Sequence, residues 1–91
     1  MSYSFSVKAA TKAEAKQKVA EQFDVVVNGQ PIHAADRDAA QAAANAFIDI
    51  LGEPTEAEQV SVSVNGYVSW RGENNFVGAN VSVGASLASK V

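Results

Sequence analysis

From Gln59 onwards the chain alternates with a period of two. Val60, Val62, Val64, Gly66, Val68 and Trp70 fall on even positions, and Ser61, Ser63, Asn65, Tyr67, Ser69 and Arg71 on odd ones. Past Asn74-Asn75 the parity reverses: Val77, Ala79, Val81, Val83, Ala85 and Leu87 alternate with Phe76, Gly78, Asn80, Ser82, Gly84 and Ser86. Side chains of a strand point to its two faces in turn, so each run predicts a strand with one apolar face. The N-terminus repeats this on a smaller scale. Tyr3, Phe5 and Val7 alternate with Ser2, Ser4 and Ser6, predicting a first strand over Ser2 to Lys8. The polar faces are unusual in kind, because they carry serine, asparagine and glycine in place of the charged residues that keep other chains off a sheet.

Between the strands the period changes. Thr11-Lys12-Ala13-Glu14 matches a capping box, in which the threonine hydroxyl meets the Glu14 amide and the glutamate reaches back. Ala15, Val19, Phe23, Val26 and Val27 then recur at helical spacing, predicting a helix over about residues 12–28 that Asn28-Gly29 and Pro31 stop. After a connection from Gln30 to Ala35, a second helix is expected over about residues 36–51, with Asp36 as N-cap and Gly52 ending it. Its stripe is Ala40, Ala43, Ala44, Phe47, Ile48 and Leu51, with the alanines allowing close approach and the Phe47–Leu51 end filling the wider part of the core. Glu53 to Glu58 reads as an acidic, solvated linker.

Asn65-Gly66 is a strong signal for a two-residue hairpin turn. Such a turn would pair Val62 with Ser69 and bring serine onto the apolar face, so parity opposes it. A turn at Asn74-Asn75 instead pairs Trp70 with Ala79, Val68 with Val81, Gly66 with Val83, Val64 with Ala85 and Val62 with Leu87. Every pair then shares a face, and Gly66 becomes a bend or bulge inside one long strand. The expected fold is α+β, in the order β-α-α-β-β: a three-stranded, mainly antiparallel sheet with two helices packed on one face. The first strand has two possible neighbours, the second strand or the third.

Ninety-one residues suffice for a single domain, 1–91. The net charge of −3 and isoelectric point near 4.9 argue against a nucleic-acid partner, which calls for a basic surface. There is no cysteine, which excludes disulfides and thiolate metal sites. No apolar run has the ~20 residues needed to span a bilayer, and the first residues lack the pattern of a signal peptide, so no membrane partner and a cytoplasmic location are expected.

Chemistry-bearing residues are sparse. His33 is the only histidine and reads as a residue capping backbone groups. Asp36 and Asp38 stand two apart on a helix, where side chains diverge, so capping and solubility account for them. Lys8, Lys12 and Lys16 step by four and could line one edge for an anion, although a solvated face is the simpler account. Trp70 points inward by parity, which would place any small ligand between sheet and helices beside it. No nucleophile–base pair, metal set or phosphate loop is recognisable, so no catalytic residue, metal or cofactor is assigned and no enzyme is expected. Tyr67, Arg71 and Phe76 project onto the serine face, with Ser69, Asn80 and Asn65 around them, and Tyr and Arg are enriched at binding hot spots. These six residues form the candidate interaction site.

YSFSVKAATKAEAKQKVAEQF at Tyr3–Phe23 and VSVSVNGYVSWRG at Val60–Gly72 resemble, in composition, the small uncharacterised proteins of tailed phages and prophages. The resemblance implies an accessory, virion or host-takeover protein that binds other proteins, in the host cytoplasm or in the virion. Three readings follow. The first is a non-enzymatic interaction module that self-associates as a homo-oligomer or docks on a protein partner through its sheet face or edge. The second is an inhibitor of a host or defence protein acting through Asp36, Asp38, Glu53, Glu56 and Glu58. The third is a small-ligand binder.

Overall fold

The computed structural model describes residues 2–27, 34–71 and 75–90. Its elements are β1 (Ser2–Ala9), α1 (Lys12–Val27), α2 (Ala34–Asp49), β2 (Glu58–Arg71) and β3 (Asn75–Ser89). The strands form one antiparallel sheet in the order β1-β2-β3. Both helices lie on its apolar face, α1 over β1 and α2 over β3. This is the expected β-α-α-β-β fold, and the neighbour of the first strand is the second.

Central β2 is covered by a strand on each side and by helices above, so Val60, Val62, Val64 and Val68 are fully buried. Val60, Val62 and Val64 meet Ala15, Val19 and Phe23 of α1 and Ala40, Ala44 and Ile48 of α2 in one core. Burying each valine or isoleucine there contributes roughly 1.5–3 kcal/mol. Phe23 is the hub of an aromatic cluster, with edge contacts to Phe5 (centroids 5.1 Å apart, 88°) and to Tyr3 (6.0 Å, 72°). On β3 the apolar row Val81, Val83, Ala85 and Leu87 is only half-covered.

Helix boundaries differ from the pattern by one or two residues. The Glu14 amide donates to Thr11 Oγ1 at 3.1 Å, which is the first arm of the capping box. The Glu14 carboxylate lies 3.2 Å from Lys18 Nζ, one turn further on. α2 begins at Ala34, which puts Asp36 in the first turn and not at the N-cap. It ends at Asp49, where the Leu51 amide closes a tighter turn on the Ile48 carbonyl. The stop at Asn28-Gly29 and Pro31, and His33, lie outside the described residues. The acidic linker is partly a turn, in which the Glu58 amide donates to the Thr55 carbonyl and the Thr55 amide to Glu58 Oε1, each at 3.0 Å.

The long hairpin is present, with a corrected register. β2 runs unbroken through Asn65-Gly66, and its partners are Val60↔Leu87, Val62↔Ala85, Val64↔Val83, Gly66↔Val81 and Val68↔Ala79. Each pairing is two residues away from the one expected, a shift that keeps every apolar residue on its face. The irregularity sits at Ser69/Trp70 and not at Gly66: Ser69 pairs with Gly78 and Trp70 with Phe76, leaving Val77 as the extra residue of a bulge. β3 starts at Asn75, opposite Arg71, so Asn75 is a strand residue and the connection, 72–74, lies outside the described residues.

Gly66 has a different role from the expected bend. It pairs with Tyr3 on one side and Val81 on the other. A Cβ at this position would overlap the Tyr3 ring, coming within 2.6 Å of Cε1. The missing side chain is the space in which Tyr3 lies flat across the central strand.

Candidate interaction surface

The face of the sheet away from the helices is built from the odd residues of β2 and their neighbours. Cross-strand rows run Lys8–Ser61–Ser86, Ser6–Ser63–Gly84, Ser4–Asn65–Ser82 and Ser2–Tyr67–Asn80, with Ser69–Gly78 beyond the end of β1. Most of these residues are exposed. Among the described residues the face holds no carboxylate, and its charged side chains are Lys8 and Arg71 at opposite ends. Short serine, asparagine and glycine side chains lose little rotamer entropy on contact, and they keep the surface flat enough for a second surface to lie on it.

Tyr67 stands out of this face with 43% of its surface exposed. Its direct neighbours are Ser2 and Asn80, with Asn65 and Ser69 two residues away along β2. Arg71, exposed, continues the same alternation. The structure therefore brings Tyr67, Asn80, Asn65, Ser69 and Arg71 onto one face. In the strand ladder Phe76 is the partner of Trp70, just beyond the bulge that follows the Ser69–Gly78 pair.

The helical side holds the charges. Lys16 Nζ meets Asp49 Oδ1 at 2.5 Å, and Lys12 Nζ reaches Glu53 Oε1 (3.6 Å) and the Asp49 carbonyl (3.4 Å) at the C-terminus of α2, where the helix dipole favours a cation. Arg37, mostly buried, donates to the Ala20 carbonyl (3.1 Å) and to Asp24. The lysines read as a possible anion-binding edge thus divide their work. Lys12 and Lys16 clasp α1 to α2, while Lys8 accepts at its backbone carbonyl from Nζ of the nearby Lys18 at 2.7 Å. Three members of the acidic set are engaged locally: Glu53 with Lys12, Glu58 with the Thr55 amide, and Asp38 with Arg37 at 3.9 Å. The Tyr3 hydroxyl is pushed above its ordinary pKa, first by burial and then by the charge of Asp36.

Sequence reasoning missed an apolar flank on α2. Phe47, expected in the core, is 46% exposed, and Ile50 is 76% exposed. With Ala46 they line a shallow depression of about 160 Å³. The buried stripe of α2 is Ala40, Ala44 and Ile48, a step of four that leaves Phe47 and Ile50 to one side. That offset is the signal that could have located them. Among the described residues, no three His, Cys, Asp or Glu side chains are grouped as a metal ion requires, and no helix is long and apolar enough to cross a membrane.

The arrangement defines a class: an α+β sheet with charged helices on one face and, among the described residues, a serine- and asparagine-rich surface without carboxylates on the other. No protein-family model matches the chain, and neither does any curated protein or solved structure.

Proposed function

We propose that this chain is a non-enzymatic protein-interaction module that uses its sheet as the contact surface, either with itself or with a protein partner. The observation that carries the reading is the exposed Ser/Asn/Gly face around Tyr67, free of carboxylates among the described residues. A sheet face that only had to stay in solvent would gain from interspersed charge, and among the described residues this face has charge only at its two ends, at Lys8 and Arg71. The aromatic ring supplies an anchor with two rotatable bonds, and Arg71 adds a cation at the rim. A phage-type accessory or structural role agrees with the compositional resemblance of Tyr3–Phe23 and Val60–Gly72.

Sedimentation of the chain, together with capture of a stoichiometric partner from a lysate of the producing cells, tests the reading. Wild-type protein is expected to self-associate or to retain one partner. A chain that does neither overturns it. Tyr67→Glu, which lies outside the core, distinguishes a contact made by the outer face from one made elsewhere on the sheet.

A further inference from the structure

β3 is an edge strand of 15 residues, from Asn75 to Ser89, with no charged residue and no proline along its length. Edge strands expose unpaired amide and carbonyl groups, and proteins ordinarily blunt them with lysine, proline or short length. The opposite edge, β1, has eight residues and carries Lys8. The one interruption of β3 is the bulge at Val77, close to the hairpin end. From Gly78 onwards the edge is a regular template.

Its apolar row has a symmetry that a chance partner would not require. Reading from Ala79 to Ala85 on alternate residues gives Ala, Val, Val, Ala, which is the same backwards. An antiparallel pairing of this strand with itself, centred on Ser82, sets Val81 against Val83 and Ala79 against Ala85 of the second copy. Because the centre falls on a residue, every inward side chain meets an inward one and both helical layers stay on the same side. A two-fold contact demands this self-complementarity, and a strand without charges meets its copy with no like-charge repulsion.

The helical layer continues the same surface. On α2, Arg37 and Gln41 reach α1, and Ala40, Ala44 and Ile48 face the sheet. Phe47 and Ile50 therefore lie on the flank turned away from α1, and since α1 covers β1 and α2 covers β3, that flank stands above the free edge. The half-covered Val81, Val83 and Leu87 lie beneath it.

We propose that β3 pairs antiparallel with β3 of a second copy, making one six-stranded sheet over which the two Phe47–Ile50 flanks close. This rests on the interaction-module reading and names its partner as the chain itself. Pairing from Gly78 to Ser86 joins about 30 Å of strand at about 3.3 Å per residue. It satisfies the edge amides and covers the depression beside Phe47. The outer face and Tyr67 stay free on the enlarged sheet.

The absence of cysteine makes single-thiol cross-linking a direct test. Wild-type chain is expected to sediment as a dimer at high micromolar concentration. In Ser82→Cys, the two thiols meet at the two-fold centre, where paired Cα atoms are about 4.5–5.5 Å apart and a disulfide fits, so mild oxidation gives a covalent dimer. Asn65→Cys, on the central strand, stays monomeric on a reducing-agent-free gel. Ser82→Lys sets two ammonium groups against each other and is expected to weaken dimerisation about tenfold or more with the circular dichroism spectrum unchanged. Phe47→Ser weakens it in the same sense. If Ser82→Lys fails to fold, the Ser82→Cys cross-link decides alone. A wild-type monomer that captures a protein partner overturns the β3 pairing and leaves the interaction-module reading standing. A dimer lost on Tyr67→Glu but indifferent to Ser82→Lys and Phe47→Ser does the same. A monomer that captures nothing overturns both.

Discussion

Gly66→Ala is the substitution that most directly tests how the sheet and the aromatic cluster fit together. In most strands alanine in place of glycine is favourable by about 0.5–1 kcal/mol, since glycine loses more backbone entropy on folding. Here the added methyl would occupy the position of the Tyr3 ring, which must swing off the sheet. That movement forfeits the edge contact between Tyr3 and Phe23, about 1 kcal/mol for such a pair. It also exposes about half of the ring's contact area, about 1–2 kcal/mol at ~25 cal/mol per Å². Set against the gain in backbone entropy, the net destabilisation is about 2 kcal/mol, within the usual range for overpacking. Urea unfolding followed by circular dichroism, at one fixed protein concentration so that association does not enter, reads this as a midpoint lower by roughly 2 M for an m-value near 1 kcal/mol/M. The thermal midpoint falls by roughly 8–16 °C. The decisive control is the Tyr3→Ala background, in which the ring is gone and Gly66→Ala becomes neutral or stabilising. Equal cost in both backgrounds, or no cost in the wild type, would refute the steric account of Gly66.

Three further outcomes follow from the same contacts. Thr11→Ala removes the acceptor for the Glu14 amide and is expected to destabilise by about 1 kcal/mol, with Thr11→Ser close to wild type; urea midpoints check both. Because the Tyr3 pKa is raised in the folded state, the unfolded chain ionises first as pH rises past 10.0, so stability is full below that pH and declines above it. That alkaline decline should shrink in Tyr3→Phe, measured as thermal midpoints across the alkaline range. Ile48→Ala empties a fully buried site and is expected to cost roughly 2–5 kcal/mol, whereas Val25→Ala, on the exposed side of α1, stays within about 0.5 kcal/mol; the same midpoints in equal shift would contradict the placement of the core.

Much of the fold can be read from two periodicities. Alternation placed Val60, Val62, Val64 and Val68 inward and Ser63, Asn65 and Tyr67 outward, as observed. It also carried β2 through Asn65-Gly66 against the local turn signal, because a two-residue turn there would have sent serine into the core. Of the candidate site, Tyr67, Asn65, Ser69, Arg71 and Asn80 were legible for the same reason. The bulge at Val77 was not, since the pattern of Val77 to Leu87 contains no mark of where it falls. Phe47 was misplaced because it borders the buried stripe of α2, and the width of that stripe depends on what covers the helix.

The sequence by itself determined which residues can share a face, since strand and helix periods are properties of the local backbone. Only the tertiary structure decided the register, the strand order and the role of Gly66. A shift of two residues preserves every inward and outward assignment, so parity is blind to the difference between pairing Val64 with Ala85 and pairing it with Val83. What distinguishes them is packing between distant segments. The order β1-β2-β3 places Tyr3 beside Gly66, and the ring needs the one central-strand position that has no side chain. The bare face around Tyr67 was therefore written into the alternation. The free β3 edge and the apolar α2 flank above it appeared only when strand order and helix placement set them side by side.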